Sequence, residues 1–396
     1  MLGIATLLAM APSFSAAAVA PVLREEWDAP GLALPLLTVV VQVGFAVGAI
    51  GLALTGAPDV VPGPRLFALG AIIAALANLG FGIVATDPVS ALPFRVLTGA
   101  ALAAVYPVAM KLAAGWFRRE RGLAIGVVNG ALTVGTALPF LFRALGLTAG
   151  FDWRAVVILA SVASTLGGLV VLLAGRTGPL DVQSPRFSPA IAAAAYREPS
   201  VRLANLGYLG HMWELFAMWA WIPIFLLASF AAAGVADPGL ASLVAFFAVA
   251  AGGAGSVAAG AIADRYGRTT TTIVAMGVSG SCAISAALLF GAPLPIVITV
   301  AVIWGASVVA DSAQFSSAVS ELAPPGTAGS ALSVQVAAGF LLTSITILGI
   351  GLLDPTDATG WRVSWLILAA GPVVGIVAMW RLRQRPDAWK MANGHR

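Results

Sequence analysis

Residues 32–54 read LALPLLTVVVQVGFAVGAIGLAL, a stretch in which Thr38 and Gln42 are the only polar side chains and none is charged. A helix crosses the ~30 Å hydrocarbon layer of a bilayer with about 20 apolar residues, so this segment has the length and composition for lipid. Lipid admits only helices and closed barrels, because every backbone polar group must be satisfied internally. A barrel strand would alternate apolar and polar residues over about ten positions. The stretch does not alternate and is predicted as a transmembrane helix.

The same pattern recurs from one end of the chain to the other. Predicted spans cover 1–23, 32–54, 66–86, 89–115, 122–142, 155–175, 203–231, 239–262, 270–292, 294–319, 328–353 and 363–380. Soluble chains carry roughly a quarter charged residues, whereas these 396 residues are 60% hydrophobic and 10% charged. The fold is therefore expected to be all-α, polytopic and embedded in a lipid bilayer. A removable signal peptide over 1–23 is disfavoured, because no basic region precedes the apolar run. The single cysteine, Cys282, rules out an intrachain disulfide or thiolate metal cluster.

The net charge of +4 is less informative than its distribution. With twelve spans, Arg65, Arg118, Arg119, Arg121, Arg176, Arg186, Arg197, Arg202, Arg265, Arg268 and the basic tail after the last span fall on one side; only Arg24, Arg143, Arg154 and Arg362 fall on the other. The positive-inside rule then places both termini in the cytoplasm. We expect the cytoplasmic membrane of a bacterium, a monomer, and no nucleic-acid partner.

The longest polar break, 176–202, separates six spans from six, dividing the chain into 1–175, a central loop and 203–396. Weak internal matches support a repeat. Asp152-Trp153-Arg154 corresponds to Gly360-Trp361-Arg362, Asp59 to Asp264, and Gly122-Leu123-Ala124 to Gly329-Ser330-Ala331, with spacings all near ~207 residues. Two six-helix bundles related by a parallel pseudo-two-fold repeat are predicted, the arrangement in which a site lies between halves that rock about it.

Charged residues deep in a span are costly and mark a functional path or a partner. The chain has few. His211 and Glu214 lie about 60° apart on one helical face, and Trp304, Ser307, Asp311 and Gln314 form a single stripe in the tenth span. Arg95 aligns with Gly99 and Tyr106 in the fourth span, while Lys111 points away and lies close to the cytoplasmic end. Glu214 and Asp311 are both expected ~5 Å to the cytoplasmic side of their midpoints, at one level. A desolvated carboxylate holds a proton nearer neutral pH and a histidine titrates in the same range, so His211, Glu214 and Asp311 are candidates for coupling proton movement to a solute. The alternative is an ion pair that only ties helices together. The amides Gln42, Asn78, Asn129 and Gln335 are expected to bond between helices. Of the tryptophans beside His211, which are Trp213, Trp219 and Trp221, some belong on lipid-facing surface.

At 260–268, GAIADRYGR is similar to the G-x-x-x-D-R-x-G-R loop motif of the major facilitator superfamily. RVLTG at 95–99 resembles the Arg-x-x-x-Gly of that family's fourth helix, and GVVNGALTVGTALP at 126–139 resembles its glycine-rich fifth helix. The resemblance implies a secondary transporter working by alternating access. It also implies a central cavity lined by helices 1, 4, 7 and 10, where Glu214 and Asp311 would face each other and helix 1 would add Ser13, Phe14 and Ser15. In the loop, Gly260 and Gly267 would permit close helix approach, Asp264 would cap the next helix, and Arg265 and Arg268 would latch onto neighbouring carboxylates or carbonyls. The copy between helices 2 and 3, TGAPDVVPGPR, keeps Asp59 and little else, which leaves its gating role open.

The expected partners are a small-molecule substrate and protons, with no cofactor. Arg95 and a protonatable His211 favour a small organic or inorganic anion; export of a drug, metabolite or metal ion on the same fold is the alternative. A membrane enzyme built on His211 is disfavoured, since the sequence contains no Ser/His/Asp or HExxH pattern. The absence of GxxxxGK[ST] argues against ATP as the energy source.

Overall fold

The computed structural model describes residues 1–29, 31–117, 121–180 and 187–395. Arg118, Arg119 and Arg186 of the basic side lie outside the described residues, as does part of the predicted central loop. Twelve helices are long and apolar enough to cross a membrane, and no strand occurs among the described residues. They are α1 Leu2–Glu26, α2 Ala33–Thr55, α3 Gly63–Val84, α4 Pro88–Trp116, α5 Arg121–Ala149, α6 Trp153–Ala174, α7 Pro199–Ala232, α8 Pro238–Tyr266, α9 Arg268–Leu288, α10 Leu294–Leu322, α11 Ala328–Leu353 and α12 Ala358–Arg383.

Several helices outrun their apolar stretches, because their ends are set by caps rather than by hydropathy. Asp87 closes a capping box with Ser90 ahead of α4, accepting from the backbone N–H of Val89 and Ser90 at 2.8 and 3.0 Å. Asp237 caps α8 through Leu240 N–H, and Asp357 caps α12 through Gly360 N–H. Each side-chain oxygen satisfies a donor that the first helical turn leaves open. The central loop carries its own short helix, Pro189–Ala195, packed against α11.

The repeat is visible in the packing. In the first six helices α2 lies on α4, α3 on α6, and α1 on α5 and α6; in the last six α8 lies on α10, α9 on α12, and α7 on α11 and α12. Glycine makes the closest of these approaches: a Cβ on Gly99 would strike the α2 carbonyl of Val41, and a Cβ on Gly305 would strike the α8 carbonyl of Ala248. The two bundles meet mainly where α5 lies along α8 and α2 along α11.

Three helices are broken inside the membrane. Helix α1 changes to a 3₁₀ turn over Ala11–Phe14, at Pro12. Helix α4 breaks between Leu102 and Tyr106, where Pro107 has no N–H to continue the ladder. Helix α10 breaks at Asp311, between Leu294–Ala310 and Ser312–Leu322. The breaks in α4 and α10 are separated by the same ~207 residues as the sequence repeat.

Candidate functional site

The break in α10 brings Asp311 to His211 on α7. His211 Nδ1 and Asp311 Oδ1 are 2.8 Å apart, with the side chains only 1% and 2% exposed. The carboxylate lies off the ring's N–H line, so the pair is a close polar contact and not an aligned hydrogen bond; His211 Nε2 has no partner. Phe315 and Tyr208 enclose the imidazole, with ring centroids 5.6 and 6.1 Å from it.

Glu214 is not where the sequence reading put it. Instead of facing Asp311 across a cavity, it points into the second bundle and accepts hydrogen bonds from Ser279 Oγ at 2.8 Å and Trp304 Nε1 at 2.6 Å. The indole of Trp304 in turn stands edge-on to Trp365, 5.0 Å between centroids. The 60° between His211 and Glu214 is enough to direct one at the α10 break and the other between α9 and the first part of α10. Glu214→Gln is therefore expected to lose one of two buried hydrogen bonds, costing ~1–3 kcal/mol, and to lower the melting temperature in a detergent thermal-shift assay without abolishing transport.

Arg95 is also drawn away from the predicted cavity. It is fully buried in the first bundle and makes five hydrogen bonds, all to neutral oxygens: Pro12 O at 3.2 Å, Ser13 O at 2.9 Å, Ser15 Oγ at 2.9 Å, Asn78 Oδ1 at 2.8 Å and Leu37 O at 3.4 Å. The guanidinium bonds the carbonyls of Pro12 and Ser13, where the break in α1 turns them toward α4. Asn78 extends the network, donating to Val157 O and Ser161 Oγ, both at 3.0 Å. Ser13 and Ser15 serve this network; Ser13 Oγ donates to Met10 O at 2.7 Å. Its product is the placement of Phe14 between the bundles, stacked on Phe216.

Tyr106 lies beyond the α4 break and donates to Asn129 Oδ1 at 2.9 Å, and the Asn129 amide donates to Ser256 Oγ at 2.8 Å. This chain crosses from the first bundle to the second on the side that carries the termini. On the far side Arg24 and Asp354 pair across the interface at 3.3 Å. Gln335, expected to bond between helices, is buried with both amide atoms unpartnered.

The loop motif forms a latch within the second bundle. Gly267 turns the chain with φ 91 and ψ 156, a left-handed conformation suited to glycine. Arg268 then grips Glu321 with two bonds, at 2.6 and 2.8 Å, and donates to Gln314 Oε1 at 2.8 Å. Gln314 thus belongs to the latch and not to the His211 group. Asp264 is exposed within α8 and does not cap α9, while Arg265 lies over the Tyr266 ring at 5.4 Å. Gly260 lies in α8 at intermediate burial. In the first bundle the loop supplies the acid: Asp59 pairs with Lys111 of α4 at 2.6 Å. Arg268→Ala is expected to raise amide hydrogen exchange in 312–322 and 267–271 by roughly tenfold, matching the loss of ~1.5 kcal/mol from a partly buried bidentate pair.

A family model described as Major Facilitator Superfamily matches residues 2–347. Among curated proteins, the MFS transporter asaE of Aspergillus flavus is 28% identical over 179 residues, 45% of this chain and 39% of its own length. The MFS-type transporter pytF of Aspergillus terreus is 25% identical over 213 residues, 52% of this chain and 66% of its own. The matched segments thus span less than two thirds of these relatives. Among solved structures, a D-xylose-proton symporter superposes with a TM-score of 0.77 at 14% identity, covering 98% of this chain and 97% of that one. The nucleoside transporter NupG (D323A mutant) gives 0.73 at 14%, covering 96% and 98%, and the xylose transporter XylE from E. coli gives 0.73 at 14%, covering 96% and 97%. At such identity these structures show the fold alone. With its twelve spans, its paired bundles and a family match over most of its length, the chain belongs to the Major Facilitator Superfamily.

Proposed function

We propose that the protein is a secondary transporter of a small organic solute, working by alternating access and coupled to protons through His211 and Asp311. The observation that carries the coupling is the 2.8 Å contact of these two side chains at the α10 break. With Nε2 protonated, the imidazolium faces a carboxylate in a low-dielectric setting; with it neutral, that attraction is gone and the carboxylate is left without a cation. A difference of this size, at a point where the helix is already interrupted, biases one arrangement of the bundles over another.

Bonds on both sides of the membrane join the bundles here, Arg24 to Asp354 on one side and Asn129 to Ser256 on the other. Alternating access requires each set to part in turn. The basic residues favour the cytoplasm for the side with the termini. The case for an anionic solute rested on Arg95 and a protonatable His211; Arg95 is committed to oxygens of α1, α2 and α3, and His211 faces Asp311. A metal-ion cargo is disfavoured, since among the described residues no group of three His, Cys, Asp or Glu could hold an ion.

The test is solute-induced proton movement in liposomes holding the purified protein and a pH dye. D-xylose and nucleosides are first probes, since similar folds carry them, followed by aromatic metabolites. A lumenal pH change on adding one solute class, absent from empty liposomes, is expected. Solute uptake with no proton movement at any pH removes the coupling and leaves a uniporter.

A further inference from the structure

At the midplane the two bundles touch through aromatic rings. Phe14 of α1 stacks on Phe216 of α7 with centroids 5.9 Å apart and planes 12° apart, and Phe45 of α2 stacks on Phe340 of α11 at 4.2 Å and 10°. Each stack takes one ring from each bundle, and all four residues lie at the middle of their helices. Phe216 and Phe340 join the two stacks at 5.2 Å. Trp219 stands at right angles to Phe14 and Phe216, 5.9 and 5.2 Å away. Its side chain is 1% exposed, yet Nε1 has no hydrogen-bond partner.

A buried indole N–H normally finds an acceptor, and alternating access must pull both stacks apart. Separation would leave two pairs of facing rings with one unused donor at their edge. We infer that this cluster is the substrate clamp, and that the substrate is a planar aromatic molecule bearing a hydrogen-bond acceptor for Trp219 Nε1. The inference rests on the alternating-access reading above. In the arrangement described here the rings fill the clamp themselves. A flat solute restores the face-to-face contacts that separation removes, whereas a saturated one of equal size does not. The clamp itself carries no charge, so recognition falls to ring shape and one hydrogen bond.

The test uses the full chain in nanodiscs with three probes: acridone, which is planar and has a carbonyl acceptor; anthracene, planar without one; and dicyclohexyl ketone, an acceptor without aromatic rings. Acridone fluorescence is expected to report saturable binding above empty nanodiscs, with anthracene competing and dicyclohexyl ketone not. Phe216→Leu and Phe340→Leu should each weaken acridone by about tenfold. Trp219→Phe should weaken acridone about fivefold and leave anthracene unchanged. Absence of saturable acridone binding, equal competition by dicyclohexyl ketone, or an unaltered acridone affinity in Trp219→Phe would each overturn the clamp. Spin-label distances between the bundles, measured on the same samples, separate the two claims. A protein that alternates without binding acridone refutes only the clamp, and a protein that never alternates refutes the reading beneath it.

Discussion

Asp311→Asn is expected to reduce pH-gradient-driven solute flux in liposomes to the level of empty vesicles, while the purified protein stays monodisperse and melts within a few degrees of wild type. Asparagine keeps the shape at the α10 break and can still face His211 Nδ1, so packing is conserved. What it removes is the charge: His211 then has no carboxylate to stabilise its cation, and protonation no longer changes the energy of the contact by the attraction of a buried pair. Downhill exchange of solute, which needs no proton, should persist. Unchanged pH dependence in this variant would show that the His211–Asp311 pair only holds α7 to α10. Glu214 gives the contrast, because its carboxyl bonds to Ser279 and Trp304 and not to His211.

Arg95→Leu should be the most destabilising single change in the first bundle. It removes all five hydrogen bonds of the guanidinium, to Pro12 O, Ser13 O, Leu37 O, Ser15 Oγ and Asn78 Oδ1, and Pro12 O and Asn78 Oδ1 keep only Ser15 as a donor. A hydrogen bond to a charged group is worth ~1.5–3 kcal/mol, and with five lost the sum should exceed ~3 kcal/mol even with relaxation. The expected result is a sharply lowered yield of folded protein and loss of the thermal transition in detergent. Arg95→Lys should not rescue it, since a single ammonium cannot reproduce a fork that serves α1, α2 and α3 at once. A wild-type melting curve for Arg95→Leu would mean that the break in α1 holds without the guanidinium.

Much of the fold was legible because lipid imposes simple rules. An uncharged run such as 32–54 has one solution, and Gly99 and Gly305 mark close helix approaches that packing alone demands. The charged residues were harder, for a reason that residues 207–221 make concrete. Helical periodicity puts His211 and Glu214 only about 60° apart, but it carries no information on the break at Asp311 that decides which of the two meets the acid. Arg95 was recognisable as a buried cation; its partners were not, because they are backbone carbonyls at Pro12 and Ser13, exposed only where α1 departs from helix. Arg268 was expected to reach a neighbouring carboxylate or carbonyl, but the acid it bonds, Glu321, was not named, because it looks like any acid near a helix end. The midplane rings of Phe45, Phe216 and Phe340 were missed altogether, since a phenylalanine in an apolar span reads as lipid-facing or core until the opposite bundle is in place. Their signal was position, each lying at the centre of its span.

Alternating access is the claim on which the rest depends, and paired distance measurements address it most directly. In a Cys282→Ala background, spin labels at the exposed Phe151 and Val235 report the far side of the interface, and labels at the exposed Val60 and Tyr266 report the side with the termini. Electron–electron resonance in nanodiscs at acid and neutral pH should reveal two populations for each pair. The expected result is opposite movement: conditions that lengthen Phe151 to Val235 shorten Val60 to Tyr266. One narrow, pH-independent distance in both pairs, or both distances growing together, would contradict a transporter whose halves rock about a central site.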